Sequence, residues 1–398
     1  MKQQTKIPEN WKLKEIKEIF SVETGTTPPT KEKIYWENAT INWATPADLG
    51  KLNGNIHFQE SERKISKTAL NDINLTLMPK NTIIVSTRAP VGYAVVIKKE
   101  STFNQGCKGL IPKKENDADP YFYCYYLINK KYELQNRAGQ STFKELSKDM
   151  FESFEVLHPP FEEQKAISKI FSEVDLELDS IERERQATER LKRGIMVRLL
   201  EGKKWKVVKL GEIVEFAKGK KPQLMIDEQK EDYLPYLSTD YLRENLGTKY
   251  VSPSEDVVLV KNGEIILLWD GSNAGEFFEG KEGVLSTTMV KFDLKTDIHQ
   301  KYLLYLLKSK QFYLQGQTNG TGIPHVDRKV LMNLDISLPL IEEQKHIAEI
   351  LNTLDQKLEL ELKRKDKLER IKKGLMNDLL AGNKRVNIEK VLKIGGGK

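Results

Sequence analysis

PPFEEQKAI occupies residues 159–167 and PLIEEQKHI residues 339–347. The two phrases stand 180 positions apart, and the likeness runs on past them. Laid side by side without a gap, 159–202 and 339–382 share 17 of 44 positions, among them Pro159 and Pro339, Asp175 and Asp355, Gly194 and Gly374. They also close alike, LKRGIMVRLLEG at 191–202 and IKKGLMNDLLAG at 371–382.

Both copies read as long helices. Pro159 and Pro160 stop the preceding element and set a helix entrance. Glu162 and Glu163 fall in the first turn, where carboxylates suit the positive end of the helix. Apolar residues then recur at spacings of three and four: Ile167, Ile170, Val174, Leu178, Ile181, Leu191, Ile195 and Leu199. The second copy gives Ile347, Ile350, Leu354, Leu358, Leu362, Leu368, Ile371, Leu375 and Leu379. This is a coiled-coil seam with a polar waist, at Arg185 and Thr188 in one copy and Lys365 in the other. Gly202 and Gly382 read as C-cap glycines. Roughly 38 residues at 1.5 Å each span about 57 Å. Such a helix needs a partner, and its own copy, packed antiparallel, supplies one.

A second repeat precedes each helix. WKLKEIKEIFSVETGTTP begins at Trp11 and WKVVKLGEIVEFAKGKKP at Trp205, aligning Ile16 with Leu210, Gly25 with Gly219 and Pro28 with Pro222. The chain therefore divides into a first globule (1–158), a central helix (159–202), a second globule (203–338), a C-terminal helix (339–382) and a basic tail (383–398). Two copies of one plan in one chain imply an internal pseudo-twofold. The globules read as mixed structure, with strand, loop, strand around Gly92 and again around Gly275, and a late aromatic helix at 121–135 and 299–315. The expected class is α+β: two inverted mixed α/β domains joined by two long antiparallel helices.

Charge is moderate. Net charge is +6, from 64 basic and 58 acidic side chains. The first globule holds 23 and 19 of these, and the tail 5 and 1. That permits nucleic-acid binding without demanding it. Two cysteines, Cys107 and Cys124, exclude a disulfide framework and fit a reducing compartment. No apolar run approaches the roughly 18 residues of a membrane span, so the expected location is cytoplasmic.

Catalytic signatures are missing. HPPF at 158–161 resembles the Asp/Asn-Pro-Pro-Tyr/Phe tetrapeptide of amino-group DNA methyltransferases, but His158 stands where an amide or carboxylate acceptor is needed. Its counterpart SLPL lacks the paired prolines. The phrase reads as a helix entrance. The chain has no Gly-rich loop ending in Gly-Lys-Ser/Thr. Its histidines, at 57, 158, 299, 325 and 346, show no metal-ligand spacing with the cysteines. No catalytic residue and no metal site is expected.

Candidates for DNA contact are the basic and amide-bearing loop residues. In the first globule these are Lys80, Thr87, Arg88, Lys108 and Lys144; in the second, Lys220, Lys221, Ser272, Asn273, Asn319, Thr321 and His325. Their donors match the groups that base edges and phosphates present. Gly- and hydroxyl-rich loops at 137–146 and 316–326 offer backbone amides to phosphate, or simply make tight turns.

Taken together, the duplicated Pro-Leu/Phe-x-Glu-Gln-Lys phrases and the duplicated Trp openings resemble the specificity subunits of type I restriction–modification enzymes, over nearly the whole chain. That resemblance implies two target-recognition domains, each reading half of a bipartite, gapped site in double-stranded DNA, with helices that set the gap. It implies two methyltransferase subunits that bring S-adenosylmethionine and methylate adenine N6, and motor-nuclease subunits that use ATP and Mg2+. No cofactor is expected on this chain. The matched docks for the methyltransferase are sought in the repeated helix starts, Glu162, Glu163, Gln164 and Lys165, and Glu342, Glu343, Gln344 and Lys345. Two other readings fit the same residues: the specificity subunit of a related system whose methyltransferase and nuclease are fused in the partner, and a coiled-coil protein-binding scaffold with no role on DNA.

Overall fold

The computed structural model describes residues 7–88, 90–139, 145–200, 205–253, 256–317 and 324–393. The chain forms two compact units, Met1–Glu182 with Lys363–Lys398, and Arg183–Leu362. Each long helix, Phe161–Leu200 and Ile341–Leu379, gives one half to each unit.

In the first unit, strand Phe20–Thr24 pairs antiparallel with Cys107–Pro112, which continues through Ile83–Ser86 and Ala94–Ile97 to His57–Phe58, making five strands. A smaller sheet sets Ile41–Ala44 parallel to Ser101–Phe103 and antiparallel to Lys64–Ile65. The aromatic segment folds as Pro120–Asn129, capped by Asp119, and a separate Lys131–Arg137, with the break at Lys130. Phe122, Tyr123, Tyr125 and Tyr126 are buried in the main core with Ile16, Phe20 and Phe171. These rings are core rather than a stacking platform.

The second unit repeats the plan. Val214–Lys218 pairs with Met289–Leu294, which continues through Ile265–Leu268 to Phe277–Glu279. Leu234–Leu237 runs parallel to Gly283–Leu285. The aromatic helix Gln300–Gln315 is continuous here, and Tyr302 and Tyr305 are buried.

The Trp-opening repeats close both globules. Lys12–Glu15 pairs with Glu155–His158, and Lys206–Lys209 with Asp335–Leu338, so the strand entering each domain binds the strand leaving it. Gly25 and Gly219 then pass against a crossing strand end. A Cβ on Gly25 would lie 2.1 Å from the Asn104 carbonyl oxygen, and one on Gly219 2.0 Å from that of Ser286. Only glycine fits such an approach.

Within each unit the helix segments pair antiparallel. Asp175 binds Lys372 and Glu182 binds Lys365 in the first unit; Lys192 binds Asp355 in the second. The paired numbers add to 547 every time, so one register governs both. Ile167, Ile181, Ile347 and Leu379 are buried, and Ile170, Val174, Leu178, Ile195, Leu199, Ile350, Leu354, Leu358, Leu368 and Leu375 half-buried. Ile371, Leu191 and Leu362 correct the expected seam: they are about half exposed, because a straight 3.6-residue helix drifts out of a strict apolar stripe. Phe171, Leu351, Met376 and Leu380 are buried in their place. Gly202 lies outside the described residues. Gly382 has φ of 72°, as a helix-stopping glycine does.

Beyond Gly382 the chain includes a short helix, Ile388–Lys393. The Arg385 guanidinium donates to both oxygens of buried Glu163 at 2.6 and 2.7 Å, and Trp11 Nε1 donates to the same carboxylate at 3.0 Å. No helix among the described residues is long and apolar enough to cross a membrane.

Candidate nucleic-acid interface

The repeated helix starts work inward. Gln164 Nε2 donates to the carbonyls of Pro159 (2.8 Å) and Asp117 (3.0 Å), and its Oε1 accepts from Asp119 N. Gln344 repeats this, donating to Pro339 O at 2.9 Å and accepting from His299 N at 2.9 Å. Each glutamine thus ties the helix entrance to the start of the aromatic helix. Burial of Glu163, Gln164 and Gln344 corrects their expected place on an exposed dock: their polar atoms are already bonded within the chain. Glu343 is half-buried. Glu162 and Lys165, and Glu342 and Lys345, remain exposed as local pairs at 3.2 and 2.7 Å.

His158 sits at the end of its strand. Tyr123 Oη lies 2.6 Å from its Nδ1 and Asp117 Oδ1 3.2 Å from its Nε2, an arrangement that suits a neutral ring protonated on Nε2. Burial, aided by Lys14, holds its pKa below the usual value. HPPF is a helix entrance built on a buried histidine.

One end of each large sheet gathers the loop candidates. In the first unit Arg88 follows strand Ile83–Ser86, bridges to Glu145 through backbone, and sets one nitrogen 2.7 Å from each carboxylate oxygen. Lys108 and Thr87 lie beside it, but both are buried, which corrects their expected loop exposure. Lys108 belongs to strand Cys107–Pro112, facing Val85 and Thr24, and burial pushes its pKa down. Thr87 packs against the Gly106 carbonyl. Lys80 is exposed before the same strand begins, at its opposite end, and stands apart from this group. Lys144 lies outside the described residues.

In the second unit the equivalent backbone bridge joins Asp270 to His325. Lys218 Nζ donates to Asp270 at 2.8 Å, and Ser272 and Asn273 are exposed on the adjoining turn, whose Gly271 N donates to Pro324 O. Lys220, exposed, pairs with Asp256 at 2.6 Å, and Lys221 is exposed beside it. Asn319 and Thr321 lie outside the described residues. The bridging position thus carries Arg88–Glu145 in one unit and Asp270–His325 in the other. The scaffold is shared and the chemistry on it is reversed.

Two features were not singled out in the sequence. Asp270 and Lys218 join the second cluster, and their signal was only the alignment of the turn at Gly275 with that at Gly92. In the first unit Arg63 lies 3.8 Å above the Trp36 ring, while Trp36 and Trp43 donate to the carbonyls of Pro29 and Thr26 just beyond Gly25. Nothing local in the sequence brings these residues together.

This duplicated scaffold has known relatives. Residues 8–190 and 202–370 each match the family described as Type I restriction modification DNA specificity domain. The chain belongs to that family and carries its domain twice. Among curated proteins it is 49% identical over 176 residues to the type I restriction enzyme MjaVIII specificity subunit of Methanocaldococcus jannaschii. That stretch covers 44% of this chain and 41% of the relative, so the match spans less than half of that protein's length. The putative MjaX specificity subunit of the same organism is 25% identical over 424 residues, covering 96% of this chain and 95% of its own. The crystal structure of a type I restriction–modification S subunit from M. genitalium shares the fold, with TM-score 0.64 and 17% identity over 96% of this chain and 98% of that one.

Proposed function

We propose that the chain is the DNA specificity subunit of a type I restriction–modification enzyme, each unit reading one half of a bipartite, gapped duplex site. The observation that carries this reading is the pairing of two specificity domains on one scaffold with different chemistry at the same loop positions, Arg88–Glu145 against Asp270–His325. A shared frame with exchanged contact residues is what two different half-sites require, since base edges are told apart by their donor and acceptor patterns. The helix pair sets the length of the gap.

The chemistry belongs to partners. Two methyltransferase subunits bring S-adenosylmethionine and methylate adenine N6, and motor-nuclease subunits supply ATP- and Mg2+-dependent cleavage. The exposed helix-start pairs Glu162–Lys165 and Glu342–Lys345, present in both copies, are candidates for the matching docks. The test is exchange of residues 11–158 for the first domain of another such subunit, followed by mapping of the methylated motif in cells that contain the partners. One half-site changes and the other stays. Change in both half-sites would overturn independent reading by the two domains.

A further inference from the structure

Inside its seam the helix pair breaks its internal symmetry at a buried polar position. Thr188 and Glu361 face each other inside the seam of the second unit, 3% and 7% exposed. Thr188 Oγ1 lies 3.3 Å from Glu361 Oε1 and 3.0 Å from Glu184 O, so its hydrogen is shared. Lys357 Nζ stands 3.7 Å from Glu361 Oε1. Through the 180-residue repeat, Thr188 corresponds to Leu368 and Glu361 to Ile181. The same register sets Leu368 opposite Ile181 in the first unit, where Ile181 is buried and Leu368 half-buried. One unit thus has an apolar pair where the other has a polar one.

Of the ion pairs nearby, Glu182–Lys365 shares this asymmetry, since its equivalents are Leu362 and Arg185, but two others lack it. Asp175–Lys372 and Lys192–Asp355 are equivalent through the repeat, so two central helices from separate copies would form Asp175–Lys192 pairs equally well. In that like-with-like pairing Thr188 would face Ile181, and between two C-terminal helices Glu361 would face Leu368. A buried carboxylate would then meet an isobutyl group; Lys357, on its own helix, would still accompany it, but the hydrogen bond across the seam from Thr188 would be lost, which is unfavourable for a buried acceptor. The exposed Glu177–Arg364 pair acts in the same sense more weakly, since its equivalents, Lys357 and Glu184, reverse the charges and would set like charges together.

We infer that Thr188 and Glu361 are a selectivity pair: they direct the central helix to the C-terminal helix and away from the same helix of a second copy. The inference rests on the register of the helices and holds whatever the units bind. A polar group at one seam position is a known means of fixing partner choice in coiled coils.

The test uses the full chain with one exposed reporter, Glu184→Cys. Like-with-like pairing of two central helices brings this cysteine opposite its own copy. Cys107 and Cys124 are buried, with thiol pKa values pushed up by burial, and do not compete for reagent. Chains are refolded together from urea, treated with a short bis-maleimide, and scored for covalent dimer on a denaturing gel. Two variants restore symmetry: Thr188→Leu/Glu361→Ile makes both pairs apolar, and Ile181→Glu/Leu368→Thr makes both polar. Both raise the dimer yield about tenfold or more over the reporter chain, the ratio that a loss of about 1.4 kcal/mol of discrimination gives. The swap Thr188→Glu/Glu361→Thr keeps the asymmetry and stays at the reporter level. The two symmetric variants shift stability in opposite directions, so a common rise in dimer is not a stability effect. Unchanged yield in a folded symmetric variant, or a swap that dimerises as they do, would overturn the assignment.

Discussion

Some of the residues repeated between the halves fasten a helix to its globule. Tyr125 Oη donates to Asp175 at 2.6 Å, and Lys372 binds the other oxygen of the same carboxylate; Tyr305 donates to Asp355 at 2.8 Å, with Lys192 in the role of Lys372. The first set is drier, with Asp175 and Lys372 side chains 14% and 16% exposed against 37% and 19% for Asp355 and Lys192. Removing one partner of a desolvated set strands the others. Asp175→Ala is therefore expected to lower stability by about 2–3 kcal/mol and Asp355→Ala by about 1–2 kcal/mol, as read by urea unfolding of each variant. Equal, negligible effects would show that the carboxylates do not fasten the helices.

Histidine protonation gives a second test at this scale. Burial lowers the pKa of His158, and also of His57 and His299. Below about pH 6.5 the unfolded chain binds protons that the folded chain refuses, so stability is full above that value and falls as pH drops through it. His158→Gln keeps a donor and an acceptor in place without titrating. Its urea midpoint is expected to fall less between about pH 7.5 and 5.5 than that of the wild type. An identical pH slope would mean that His158 takes up its proton as readily folded as unfolded.

At the level of elements, the two long helices were legible because their signals are local: paired prolines, acidic first turns, apolar spacing of three and four. The repeated Trp openings and the glycines at 25 and 219 likewise announced one domain plan used twice. What was not legible depends on contacts distant in sequence. Glu163 and Gln164 look like surface residues until Trp11, Arg385 and Asp119 are folded against them. Lys108 looks like a loop cation but sits within a strand between two neighbours. Ile371 keeps the apolar spacing and still turns outward, since spacing fixes a stripe only until helical drift moves it. If helix length sets the gap, inserting four residues near position 185 adds about 6 Å of helix and widens the methylated motif by one to two base pairs at about 3.4 Å each. An unchanged gap in a folded, active enzyme would rule out the helix pair as the spacer.

The whole molecule carries two specificity domains of one family, with loop chemistry that differs between them, and a helix pair with a buried polar position in one unit only. Under the proposed function, such a subunit reads an address made of two unlike halves. The most direct measurement is the adenine methylation pattern of host DNA with this gene present and with it deleted. The expected result is a two-part motif with a fixed gap that disappears on deletion and returns when the gene is restored. An unaltered pattern in cells whose partner methyltransferase is present and active would contradict it.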